Sequence, residues 1–284
     1  MLFETSYTHS LGVIGGELYG CGYNDEGEYD LGDGNPVPTF TKIDEQFDGS
    51  GIRSIKCVSN LSLVLTNAGN VFSNDGMSKE NLNFVQIDYL YNIKMIDIYD
   101  FFLIALSDEG LYCCERQLYG WNMPENISIV GTIILKISCG PYYVMILTNK
   151  GLWTLELVKY RECDIVNHLN GKRDKSNPGL KKIDLEFDFL SIIDMKCNKK
   201  YILLLTANGF IYKTDGHTFI KIEITFINPK IFIGSMYFYI LHDITSNNKC
   251  ITQYYKGIWI DTKLDFDVQN VVIEDNYDTI FYIG

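Results

Sequence analysis

The chain repeats itself, and the repetition constrains its fold more than any single motif does. Five segments share one spacing of apolar residues: Ile52-x-x-Ile55-x-Cys57, Ile93-x-x-Ile96-x-Ile98, Ile134-x-x-Ile137-x-Cys139, Ile192-x-x-Met195-x-Cys197 and Val268-x-x-Val271-x-Ile273. Asn228-x-x-Ile231-x-Ile233 is a sixth copy, and the N-terminus reads as a seventh, shifted copy with its anchor at Thr5. Six residues beyond each anchor comes a second apolar strand, such as Leu63-Val64-Leu65 or Leu203-Leu204-Leu205. Twelve residues beyond four anchors stands a glycine: Gly69, Gly110, Gly151 and Gly209. Each follows a turn-forming pair, which is hairpin chemistry with glycine free to take a positive φ.

A third strand with an aromatic follows these glycines. A fourth recurs as Thr41-Lys42-Ile43, Val85-Gln86-Ile87, Lys181-Lys182-Ile183, Ile220-Lys221-Ile222 and Thr262-Lys263-Leu264, with a loose equivalent near residues 126–129. Anchors at 5, 57, 98, 139, 197, 233 and 273 lie 52, 41, 41, 58, 36 and 40 residues apart. Four short antiparallel strands in about forty residues describe one propeller blade. The expectation is an all-β, seven-bladed β-propeller, with six blades as the alternative. It forms one domain over 1–284, in units near 1–50, 51–91, 92–131, 132–190, 191–226, 227–266 and 267–284. The last copy has two strands, and a ring left open exposes sheet edges. Residues 1–14 and 268–284 are therefore expected to meet.

Composition agrees with strands. Alanine occurs three times, while Tyr and Phe number 20 and 16, which excludes a mostly helical chain. Lys and Arg total 24 against 36 Asp and Glu, a net charge of −12, which argues against direct duplex DNA binding. Apolar runs fall well short of the roughly 18 residues of a membrane span, so no membrane is expected. The start Met1-Leu2-Phe3-Glu4-Thr5 has neither the basic nor the apolar region of a signal peptide. The expected setting is intracellular, cytoplasmic or nuclear, with the eight cysteines as reduced thiols.

The first unit carries His9-Ser10-Leu11, then Gly16-Glu17-Leu18-Tyr19-Gly20-Cys21-Gly22-Tyr23-Asn24, Gly27 and Leu31-Gly32-Asp33-Gly34; Cys139-Gly140 repeats a small-Gly pair. In these residues the chain resembles the regulator of chromosome condensation repeat family. The family's histidine position reads Leu61, Phe102, Tyr143, Tyr201, Tyr237 and Tyr277 in the other copies. The resemblance implies a propeller of that type. It also implies two functions: the founding member is a guanine nucleotide exchange factor for the GTPase Ran, and many relatives are interaction platforms. Exchange there uses a wedge loop and loop carboxylates with no short transferable motif, so no exchange residue carries over.

Two irregular stretches interrupt the repeat. Residues 22–36 form the densest acidic loop, with Asp25, Glu26, Glu28, Asp30 and Asp33 suited to docking a basic partner surface. Residues 156–178 reverse the local sign with Lys159, Arg161, Lys172, Arg173 and Lys175, suited to steering an acidic partner. Loops on a rigid scaffold commonly carry function, which makes the basic stretch the leading interaction site.

The remaining reactive residue types read as structural. Cys57, Cys139 and Cys197 occupy one repeat position that favours a small buried group. Cys113 and Cys114 should face opposite ways in a strand. His9, His168, His217 and His242 lack metal-ligand spacing, and His9 falls on the family's structural histidine. No phosphate-binding loop, nucleophile elbow or metalloprotease motif is present, so neither a cofactor nor enzymatic activity is expected. The expected function is a non-catalytic scaffold whose loop faces bind proteins, the alternative being nucleotide exchange on a Ran-type small GTPase. Partners of either kind are proteins: a small GTPase or a larger assembly.

Overall fold

The computed structural model describes residues 2–6, 8–23, 36–44, 47–74, 83–99, 102–117, 120–122, 125–127, 129, 131–141, 143–157, 169–173, 179–198, 200–214, 217–223, 226–233, 238–245, 248–255, 258–264, 270–273 and 280–283. They form two compact units, Met1–Ile129 and Val130–Gly284. Regular structure among them is almost wholly antiparallel β, with one short 3-10 turn at Phe189–Ser191.

In the first unit, β1 (Leu2–Thr5), β2 (His9–Ile14), β3 (Glu17–Gly22) and β4 (Val37–Lys42) form a four-stranded sheet in chain order. A second follows from β5 (Ile52–Val58), β6 (Leu61–Thr66), β7 (Val71–Asn74) and β8 (Val85–Gln86). The third joins β9 (Ile93–Tyr99), β10 (Phe102–Ser107) and β11 (Leu111–Gln117), with β12 (Gly120–Trp121) and β13 (Glu125–Ile127) both paired to β11. β13 is the fourth strand that the sequence only hinted at near residues 126–129.

In the second unit, the fourth sheet runs β14 (Ile134–Gly140), β15 (Tyr143–Thr148) and β16 (Gly151–Glu156), followed in space by β18 (Leu180–Ile183) and then β17 (Gly171–Arg173). The fifth comprises β19 (Ile192–Cys197), β20 (Ile202–Thr206), β21 (Ile211–Thr214) and β22 (Phe219–Lys221). The sixth comprises β23 (Ile227–Ile233), β24 (Phe238–Thr245), β25 (Asn248–Tyr255) and β26 (Ile258–Leu264). β27 (Asn270–Ile273) and β28 (Ile280–Ile283) pair with each other and, among the described residues, with no further strand.

Among the described residues there are thus six blades of four or five strands, and the expected count of seven gives way to its alternative. The last copy contributes two strands, while the N-terminal copy spends all four of its own on the first sheet.

The packing explains the sequence pattern. Second strands β6, β10, β15 and β20 are buried along their whole length, because a strand covered on both faces needs apolar residues throughout. Leu63, Leu65, Val71, Ile96, Leu103 and Ala105 pack between the second and third sheets, and Met145, Leu147, Met195, Ile202 and Leu204 between the fourth and fifth. Each large side chain so buried contributes about 1.5–3 kcal/mol. Turn glycines stitch neighbours together: Gly69 sits at φ +88°, and its carbonyl accepts from Ile93 N of the next sheet at 2.9 Å.

Candidate functional site

The fourth blade departs from the pattern by adding β17 outside its regular fourth strand, and this happens inside the basic stretch. Leu169, 1% exposed, anchors the approach by burying in the core with Leu152 and Ile183. Asn170 N then donates to His217 O at 2.7 Å, and Asp184 N donates to Asn170 O at 3.0 Å. Gly171 is required at the next step: a Cβ there would stand 2.0 Å from the Lys182 carbonyl oxygen. Backbone cannot yield as a flexible side chain does, so only glycine lets β17 seat against β18.

Register builds two cross-strand rows on opposite faces of this sheet. One runs Trp153, Lys182, Lys172; the other Thr154, Lys181, Arg173. Lys172 and Lys182 are directly opposite and both exposed. Like charges so placed destabilise a sheet by some tenths of a kcal/mol. Lys182 Nζ lies 5.8 Å from the centre of the Trp153 ring, within range of a cation–π contact.

In the other row Arg173 Nη2 pairs with Glu156 Oε1 at 2.7 Å. Lys181 is buried and donates to the Leu169 carbonyl; burial, and then the Arg173 charge, push its pKa down. The two buried side-chain polar atoms without a hydrogen-bond partner among the described residues are Trp153 Nε1 and Thr154 Oγ1. They stand at the inner ends of these two rows. Four cations gather here beside the carboxylates of Glu156, paired with Arg173, and Asp184, in a chain whose net charge is −12.

Of the residues expected from sequence to bind partners, Lys172 and Arg173 are therefore brought together. Lys159, Arg161, Lys175, Asp25, Glu26, Glu28, Asp30 and Asp33 lie outside the described residues, as does His168. Sequence reasoning missed Lys181, Lys182, Trp153 and Thr154 as members of the site. Lys181 and Lys182 were legible only as a fourth strand; the signal was two adjacent lysines on a strand beside a basic insertion.

The first unit holds two polar assemblies with structural roles. Lys56 on β5 contacts Glu4 of β1 at 2.9 Å and Asp97 of β9 at 3.2 Å, linking three consecutive blades. Burial alone would lower the Lys56 pKa, but the Asp97 and Glu4 carboxylates outweigh it and raise it above the usual lysine value. His9 bridges the first two blades: Nε2 to Ser62 Oγ at 2.7 Å, and Nδ1 to Ser6 Oγ at 3.2 Å and Thr8 Oγ1 at 3.0 Å. Burial pushes its pKa down to about 3, the Ser59 backbone bond opposing. The histidine is a neutral tie between blades.

The repeat cysteines pack as small groups. Cys139 and Cys197 are buried, and Cys57 is half-buried against the core between the first two sheets. Cys114 is buried and Cys113 half-exposed, as alternating faces require. Burial, and then the Cys113 charge, hold the Cys114 thiol up at about 12. No group of three or more metal-binding side chains occurs among the described residues, and none of their helices is long and apolar enough to cross a membrane.

No protein-family model matches the chain, and no curated protein matches it. Solved structures do. Human WBSCR16 superposes with a TM-score of 0.70 at 11% identity, covering 96% of this chain and 84% of that one. Prp20p of Saccharomyces cerevisiae, described for its binding to Gsp1p and histones, gives 0.71 at 14% identity over 95% and 79%. PorZ, a surface component of the type-IX secretion system of Porphyromonas gingivalis, gives 0.64 at 14% identity over 99% and 35%. The fold is accordingly an all-β propeller similar to that of these proteins, including the regulator of chromosome condensation type. Proteins this different share it, so the fold does not name a function.

Proposed function

We propose that this chain is a non-catalytic protein-interaction scaffold, binding partners through its loop faces and through the basic outer edge of the fourth blade. The observation that carries this reading is the paired rows on β17 and β18. A closed hydrophobic core needs neither a fifth strand nor two lysines set against each other, whereas a docking surface uses both. Charge complementarity and shape suffice for docking, with affinity spread over many contacts. The acidic residues Asp25, Glu26, Glu28, Asp30 and Asp33 fit the same reading as a second docking element of opposite sign. The test is affinity purification of the tagged full chain from its native cell. A reproducible, stoichiometric protein partner supports the scaffold; a chain recovered alone contradicts it.

Nucleotide exchange on a Ran-type small GTPase is the second reading. It is favoured by the repeat's resemblance and by the propeller likeness to Prp20p. Release of a fluorescent guanine nucleotide from Ran, with and without micromolar protein, separates the two. The scaffold reading expects little or no acceleration. A hundredfold acceleration would overturn it.

A further inference from the structure

We propose that one end of the second unit docks an amphipathic helix of a partner protein, with a stripe of aliphatic side chains flanked by lysine or arginine. This rests on the scaffold reading and names a partner class for it. Ladder register skips one residue near the start of four first strands: Arg53 in β5, Lys94 in β9, Leu135 in β14 and Ile193 in β19. A bulge of this kind turns the extra side chain away from its normal place in the sheet. In the first unit that side chain is a cation with local partners. Arg53 donates to the carbonyls of Ile93 and Asn67, and Lys94 pairs with Asp108. In the second unit the same position is aliphatic and faces water.

Neighbouring side chains extend these two into a row. Asn149 N donates to Ile133 O at 2.9 Å, and Ala207 N to Ser191 O at 2.7 Å. The turn after each second strand thus sits against the segment leading into its own first strand. This places Ile133, and Leu190 of the 3-10 turn, at the same end of their sheets as Leu135 and Ile193. Across the next blade boundary, a Cβ on Gly209 would lie 3.6 Å from the carbonyl oxygen of Phe226, which precedes Ile227 at the start of β23. Ile133, Leu135, Leu190, Ile193 and Ile227 are between 38% and 65% exposed. An aliphatic row over three consecutive sheets is an interaction surface rather than scattered exposure.

Charge and length choose the occupant. Leu185, Phe187 and Phe189 pack against the core between the fourth and fifth sheets, while Glu186, Asp188 and Leu190 are exposed. Asp188 Oδ1 accepts from Leu190 N at 3.0 Å, which fixes the turn that presents Leu190. Neither Glu186 nor Asp188 forms an ion pair among the described residues. Carboxylates therefore flank the row where it crosses from the fourth blade to the fifth, and Lys150 is exposed in the fourth blade's turn. The partner's cations belong over that crossing. Packed sheets lie about 10 Å apart, so three of them span about 20 Å, the length of a helix of about 14 residues. Such a helix offers about five side chains along one stripe, whereas an extended segment of equal span offers about three on one face. A second copy of this chain would bring Glu186 and Asp188 against their own kind.

The test uses the full chain and fluorescence anisotropy with a labelled helical peptide of about 14 residues, leucines forming one stripe and lysines flanking it. Its companions are a peptide of the same composition reordered to break the stripe, and a Glu-for-Lys analogue. The striped lysine peptide should bind, with both companions at least tenfold weaker. Leu135→Gln with Ile193→Gln should weaken it at least tenfold at an unchanged melting temperature, with Ile193→Gln alone as the gentler variant. Val85→Gln, at an aliphatic residue of the first unit that is 53% exposed, should leave binding unchanged. Glu186→Lys should narrow the preference for the lysine peptide over its Glu analogue at least threefold. Absence of binding, equal binding of the reordered peptide, or equal loss in Val85→Gln overturns the proposal. So does dimerisation of the chain, or flotation with phosphatidylcholine vesicles, that the Leu135→Gln, Ile193→Gln pair abolishes, since the row then belongs to a second copy or a membrane. The scaffold reading fails separately. If wild-type and paired-variant chains capture the same cellular partner equally, the helix proposal falls and the scaffold stands.

Discussion

His9 Nε2 stands 2.7 Å from Ser62 Oγ, a buried bridge from the second strand of the first blade to the second strand of the next. Because burial holds the folded ring's pKa at about 3 against an ordinary 6.5, the unfolded chain binds the extra proton between those values. Stability from this group is complete above pH 6.5 and is lost as pH falls toward 3. At pH 4.5 the loss amounts to about 3 kcal/mol. Urea unfolding at pH 7 and pH 4.5 should show that drop, and His9→Gln should be less stable at pH 7 with a flatter acid limb. An unchanged acid limb in the variant would contradict the account.

Lys56 serves three blades at once, so its removal takes from Glu4 and Asp97 the cation they share. Breaking a buried pair costs about 3–5 kcal/mol; with the Lys56 side chain 19% exposed, Lys56→Met should cost about 1–3 kcal/mol. Adding Glu4→Gln and Asp97→Asn should recover most of it. Thermal melts of the single and triple variants measure the difference. A single variant as stable as wild type would show that the triad contributes nothing.

The repeat was legible because it is written in backbone necessity and burial. Gly69, Gly110, Gly151 and Gly209 all adopt positive φ, and the apolar second strands are the buried ones. The blade count was not legible, since anchors mark where strands begin rather than how many strands each copy retains. The candidate site was half legible. Lys172 and Arg173 stood out by charge, while Lys181, Lys182, Trp153 and Thr154 join them only through the pairing of β16, β17 and β18. Register between strands far apart in sequence is absent from local pattern.

Two glycines separate conformational from packing cost. Gly15 has φ +62° with open space around it, whereas Gly69 has φ +88° and a Cβ there would stand 2.9 Å from Ile93 N. Gly15→Ala should cost about 1 kcal/mol and Gly69→Ala clearly more, about 2–4 kcal/mol, by denaturant unfolding. Equal costs would mean that the second blade's turn is not seated against the third.

Gly171→Val should dislodge β17 from β18 and leave the rest of the fourth blade in place. Global stability should change by less than about 1 kcal/mol, since a three-residue edge strand buries little. Amide exchange at residues 171–173 should accelerate while β15 and β16 stay protected. Loss of protection throughout β14–β16 would make the fifth strand an integral part of the blade.

Hydrogen exchange of the full chain, with and without a partner purified through it, tests the central claim of a docking surface on the fourth blade most directly. The account predicts new protection in β16, β17 and β18, lost in the Lys172→Glu, Lys182→Glu chain. Protection confined to the first unit, with β17 and β18 unchanged by the bound partner, would contradict it.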